Sequence, residues 1–172
     1  MKRDRWLSGL LSAGVLSFTL ATVGAQVAQA QRRIHIFDLS CVGRWPNYQV
    51  SRIRSKDISI GRELYTSILE TTPTGFTCKL PGGRLSLRLE YGVSDNDNIP
   101  PPKIDVYVDG NQVASQVGKE GRVNTMLVDV SNGKSLAIDI TCSRATNCSE
   151  SITPYYFFSF HIIPGGSSPG SR

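Results

Sequence analysis

The 172-residue sequence predicts an all-β protein, an antiparallel two-sheet sandwich or jelly roll, on three observations. Apolar and polar residues alternate over short runs, most cleanly where Leu85, Leu87, Leu89 and Tyr91 interleave with Ser86, Arg88 and Glu90; this is the period of a strand with one buried face. Such runs are separated by turn-forming clusters, Asp109-Gly110-Asn111 and Ser131-Asn132-Gly133 among them, whose residues tolerate positive φ. No helical periodicity follows residue 30, so the layers must be sheets.

Residues 1–30 read as a signal peptide and stand outside the fold. Met1 to Arg5 is a short basic start, Trp6 to Ala25 is apolar, and Ala28-Gln29-Ala30 offers small residues where a signal peptidase reads them. Ser, Thr and Gly interrupt the apolar stretch, which fits a cleaved leader better than an anchor and leaves no stable membrane insertion after cleavage. The expected address is therefore secreted, periplasmic or cell-surface. Residues 31–163 are expected to form one β-sandwich domain and 164–172 a flexible Gly/Ser/Pro tail. From residue 31 onward 16 basic side chains face 13 acidic ones, and the arginines are scattered. Nucleic acid is not expected as a partner.

The strands follow in order. Arg32 to Val42 begins as a strand, with Ile34 and Ile36 on one face and His35 and Phe37 on the other. The loop Gly43 to Tyr48 carries Trp45 and Tyr48, two aromatics able to present a ring face to a pyranose, or else to cap the core. Asp57–Ile60 and Leu64–Leu69 are short runs split by Gly61, and Phe76–Leu80 is another, halted by Pro81-Gly82-Gly83. Ser94 to Pro102 is the most polar loop, with Asp95-Asn96-Asp97-Asn98. Lys103 to Val113 reads as strand, turn and returning strand about Asp109-Gly110-Asn111. Met126–Val130 and Leu136–Ile140 flank Asn132-Gly133, which reads as a second hairpin. Tyr155 to Ile163 is apolar on both faces: Tyr156, Phe158, Phe160 and Ile162 on one, Tyr155, Phe157, Ser159 and His161 on the other. A strand of that kind lies centrally or under a cover.

All four cysteines, Cys41, Cys78, Cys142 and Cys148, follow the leader, and an even number in an exported chain suggests two disulfides. Three pairings are open; the local Cys142–Cys148 with Cys41–Cys78 is the expected one. No pair has the short ligand spacing of a structural zinc site.

Several segments together resemble the NPCBM/NEW2 family, small galactose-binding-like sandwich modules found beside glycoside hydrolases. They are Ile58 to Tyr65, Leu89 to Asp95, Val106 to Val113 and Val128 to Leu136, in the family's order and over roughly residues 58–162. Tyr155-Tyr156-Phe157-Phe158 stands where the family carries an aspartate- and tryptophan-bearing stretch. The resemblance implies the fold and carbohydrate recognition.

The chemistry expected is non-catalytic binding. His35 and His161 are the only histidines, there is no Gly-x-Ser-x-Gly elbow, and the carboxylates are too dispersed for a glycosidase pair. The two histidines read as unrelated surface groups, unless the first and last strands pair and set them side by side. Trp45, Tyr48, Asp95 and Asn96 are the expected carbohydrate contacts, and a glycan is the expected partner. Asp95 and Asp97 are the candidate ligands of a structural calcium, although the loop lacks the Gly and Glu of an EF-hand. The alternative to sugar binding is a disulfide-stabilised structural or protein-interaction domain of the cell surface.

Overall fold

Strands make up most of what the computed structural model describes, which is residues 32–43, 55–148 and 153–165. In chain order they are β1 (Ile34–His35), β2 (Cys41–Gly43), β3 (Lys56–Ile60), β4 (Glu63–Ser67), β5 (Leu69–Thr71) and β6 (Thr74–Lys79). They continue with β7 (Leu85–Gly92), β8 (Pro102–Val108), β9 (Asn111–Val117), β10 (Asn124–Asp129), β11 (Ser135–Cys142) and β12 (Tyr155–Pro164). Among the described residues the only helical element is the 3-10 turn Ile36–Asp38.

All pairings are antiparallel. One sheet runs β1-β12-β7-β10, with β5 beside β1 along the same edge of β12; the other runs β2-β6-β11-β8-β9. A separate hairpin, β3–β4, lies outside both. The alternation explains the core. Leu85, Leu87, Leu89 and Tyr91 of β7 point one way and meet Phe76, Ile104, Val106, Leu136, Ile138 and Ile140 of the facing sheet, all buried. Each such side chain contributes about 1.5–3 kcal/mol by leaving water.

The stretch 155–163 is central and covered at once. β12 pairs with β7 on one edge and with β1 and β5 on the other. Its simple alternation does not hold: the register shifts between Phe157 and Ser159, and the extra residue of a bulge changes which side chains face inward. Tyr155, Phe157, Phe160 and Ile162 therefore join the main core. Tyr156 and Phe158 turn to the opposite face, where Ile58, Ile60 and Tyr65 of the β3–β4 hairpin cover them, with the Tyr65 and Phe158 rings 5.4 Å apart.

Two further expectations change. Arg32 to Val42 begins as a strand, as expected, but β1 ends at His35, so Ile36 and Phe37 do not continue its alternation. The chain breaks into the 3-10 turn so that Ile36, 1% exposed, can enter the core, and the His35 side chain caps the break by accepting from the Phe37 N–H. Ser131 to Lys134 is not a hairpin turn either, because β10 and β11 belong to different sheets. The segment carries the chain across the sandwich edge. A Cβ at Gly133 would sit 2.5 Å from Val108 Cγ1, so the crossing needs glycine for closeness. The turn at Asp109-Gly110 does join a hairpin, β8–β9, with φ of 50° and 83°, as the sequence predicts.

Both expected disulfides form, Cys41–Cys78 and Cys142–Cys148. The first joins directly opposed residues of β2 and β6; the second closes a short loop after β11.

Candidate functional site

Three loops meet at one end of the sandwich: β7–β8 (93–101), β9–β10 (118–123) and β11–β12 (143–154, described to 148 and from 153). They enclose a cavity of about 390 Å³, in the range of a small-ligand site. Its described wall is mostly polar: Ser94, Asp95, Asp97 and Asn98 from the first loop, Glu120 from the second, and Arg144, Thr146 and Asn147 from the third.

The first loop is braced from several sides. The Asp97 N–H donates to the Ser94 carbonyl at 3.0 Å, the Ile99 N–H to the Asp97 carbonyl at 2.9 Å, and the Asp95 N–H to Ser59 on the hairpin at 2.8 Å. From the core, the Tyr155 hydroxyl donates to the Pro100 carbonyl at 3.2 Å. The buried Asn124 side chain ties down the second loop, accepting from the Lys119 N–H and donating to the Lys119 and Arg122 carbonyls. An ion pair, Arg144 to Glu120 at 2.5 Å, spans the second and third loops. Both side chains are 63% exposed, so the pair orients the groups more than it stabilises the fold.

Asp95 and Asp97 differ in what they are free to do. The Asp95 carboxylate accepts from the Gly61 N–H (2.8 Å), the Arg62 N–H (3.0 Å) and the Ser59 hydroxyl (2.7 Å). These bonds, the Arg62 amide first among them, hold its carboxyl below the usual carboxylate range. They also satisfy the hairpin turn, where Gly61 and Arg62 both take positive φ. Asp95 is thus a clamp between the hairpin and the cavity loop, and a ligand or calcium at its oxygens would displace those donors. Asp97 Oδ2, by contrast, is buried with no hydrogen-bond partner among the described residues. A carboxylate oxygen in that position is costly unless something donates to it.

Of the other sequence-predicted contacts, Asn96 has an exposed side chain outside the cavity wall, its N–H bonded to the Ser94 hydroxyl at 3.3 Å. Trp45 and Tyr48 lie outside the described residues. Sequence reasoning passed over Asn98, Glu120, Arg144, Thr146 and Asn147. The signal for the last three was their position between Cys142 and Cys148, which makes them a closed loop. Among the described residues no group of three or more His, Cys, Asp or Glu side chains is arranged to hold a metal ion.

The fold and the loop cavity at its end define a β-sandwich of the kind seen in carbohydrate-binding modules. The structure of CBM51-2 with GlcNAc and INT domains from Clostridium perfringens ZmpB superimposes with a TM-score of 0.61 at 14% identity, covering 77% of this chain and 32% of that one. The M60 catalytic domain with CBM51-1 and CBM51-2 from the same protein gives 0.59 at 15% identity, over 80% of this chain and 16% of that one. CBM51 from Clostridium perfringens GH95, in complex with methyl-galactose, gives 0.56 at 12% identity, over 77% of this chain and 100% of that module. The chain thus spans a third or less of the ZmpB structures and the whole of the isolated module. No protein-family model matches it, and no curated protein does.

Proposed function

We propose that this chain is an exported, non-catalytic carbohydrate-binding module that takes extracellular or cell-surface glycans in the three-loop cavity, in the manner of the NPCBM/NEW2 modules that its sequence resembles. The observation that carries the reading is the cavity itself: a polar recess at the loop end of a sandwich, with Asp97, Asn98, Arg144 and Asn147 in its wall. The Arg144 guanidinium and the Asn98 and Asn147 amides can serve sugar hydroxyls. Neighbouring structures hold GlcNAc and methyl-galactose, and a single hexose is of a size the cavity admits. Trp45 and Tyr48 belong to this proposal as aromatic platforms at a glycan surface. Calcium enters it through Asp95 and Asp97; at Asp95 it would compete with the Gly61, Arg62 and Ser59 donors.

The test is a glycan array probed with wild type, Asp97→Ala, Arg144→Ala and Trp45→Ala, each with calcium and with a chelator. Binding to a defined sugar that falls at least tenfold in Asp97→Ala supports the cavity; loss in Trp45→Ala extends the contact to the aromatic loop. A signal insensitive to chelation removes calcium from the reading. An array on which the folded wild type binds nothing would transfer the function to the alternative, a disulfide-stabilised interaction domain.

A further inference from the structure

The two histidines are direct cross-strand partners. His35 of β1 lies opposite His161 of β12, their rings 5.1 Å apart and edge to face. Ile34 and Ile162, the adjacent pair, point into the core, so the imidazoles stand on the outer face of the sheet. Each is partly buried.

Each ring is engaged through its Nδ1. His35 Nδ1 accepts from the Phe37 N–H at 3.4 Å, which places its proton on Nε2 and caps the 3-10 turn. His161 Nδ1 is 3.0 Å from the Ser159 hydroxyl. Arg33 from the β1 side and Arg88 on β7 both act against a charge on His161, and Glu90 of β7 favours one. Glu90 is however already engaged by the Arg88 guanidinium. The same two arginines disfavour a metal cation between the rings.

We propose that the His35–His161 pair is a proton-operated latch that releases β1 and the 3-10 turn behind it when the surroundings acidify. Protonating His35 turns its Nδ1 from acceptor to donor, so the Phe37 N–H loses its partner and the cap is undone. Protonating His161 as well sets two cations face to face beside two arginines. β1 is only two residues long, which leaves few ladder bonds to resist. At the far end of the segment the Cys41–Cys78 bridge still holds the chain, so what opens is a tethered strap carrying Ile34, Ile36 and Phe37.

Burial, then the neighbouring His35 and Arg33, lower the pKa of His161 below its ordinary 6.5. A group whose folded pKa is depressed contributes its stability above the unfolded value and loses it as pH falls through the folded one. The latch is therefore closed at neutral pH and opens below about 6.5.

The test is hydrogen exchange of the β1 and 3-10 amides, corrected for intrinsic rates, with ring titration of His161 by NMR. Wild type, His35→Asn and His161→Gln are compared; Asn in place of His35 keeps a neutral acceptor for the Phe37 N–H. In wild type, protection of this segment should fall at least tenfold between pH 7.5 and pH 5 while that of β7 and β11 holds. Each variant should lose less protection than wild type between the two pH values, because only one titrating ring remains in it. His161 should titrate below 6.5, and nearer to it once His35 is Asn. Equal protection in wild type at both pH values, or a His161 midpoint unmoved by His35→Asn, would overturn the latch. A variant that is unprotected already at pH 7.5 would show that the rings pack rather than switch, and would overturn it also.

Discussion

Two buried tyrosines provide a paired experiment in which the same deletion has opposite signs. Tyr91 and Tyr155 are each fully buried, but Tyr155 donates to the Pro100 carbonyl at 3.2 Å and the Tyr91 hydroxyl has no partner among the described residues. Tyr155→Phe removes a hydrogen bond and strands a carbonyl, which costs about 1–1.5 kcal/mol. Tyr91→Phe removes a hydroxyl whose uncompensated burial costs about 1–3 kcal/mol, so stability should rise by about 1 kcal/mol. For a chain of this size the two variants would separate by about 6 °C, roughly 3 °C to either side of wild type. Urea titration with an unchanged m-value, supported by calorimetry, reads the effect. Burial pushes both hydroxyls up to about 12 from 10.0. Raised acids favour the folded state below the unfolded value, so this contribution is full below pH 10 and is lost between pH 10 and about 12; Tyr91→Phe should shift alkaline unfolding to higher pH. If Tyr91→Phe instead destabilises by 1 kcal/mol or more, the hydroxyl has a partner such as a buried water, and the reasoning fails.

Other expectations concern the loops. Replacing Cys142 and Cys148 by Ser frees the loop bearing Arg144, Thr146 and Asn147; glycan affinity should drop at least tenfold by calorimetric titration, and the unfolding midpoint should fall by what a loss of up to about 2.4 kcal/mol gives. Gly61→Ala should cost at least about 1–2 kcal/mol in chemical denaturation, since φ is +61° and the new Cβ would lie 2.3 Å from the Gly121 carbonyl oxygen. The Asp95 carboxyl is held below its ordinary 3.8, so its grip on the hairpin is full above that pH and lost as the solution is acidified through its lower folded value. The Gly61 and Arg62 amides should lose exchange protection there, and Asp95→Asn should lose it already at neutral pH.

Strand identity was legible wherever polar and apolar residues alternate, as in β7 and β8, because the period is then written in the residue types. Where both faces are covered the pattern is silent. The bulge in β12 could not be read from Tyr155 to Ile163, since Phe on either face looks alike. The Asn132-Gly133 turn was visible, but not that it changes sheets, which depends on Gly133 slipping past Val108. The disulfides were legible because one pair is local and fixes the other. The cavity was half legible: the Asp/Asn run announced its first wall, while Glu120 and Arg144, far apart in the chain, meet only through the fold. Asp95 and Asp97 look equivalent in sequence; only the hairpin's N–H groups distinguish them.

The pairing of β1 with β12 also determines where the chain enters and leaves. Ile34 lies against Ile162, and Pro164 against Leu85, whereas the loops after Gly92 and before Tyr155 build the cavity at the other pole. Both tethers are thus anchored on the side away from the recess. A bead or companion domain attached beside Ile34 or Pro164 would leave its mouth pointing outward.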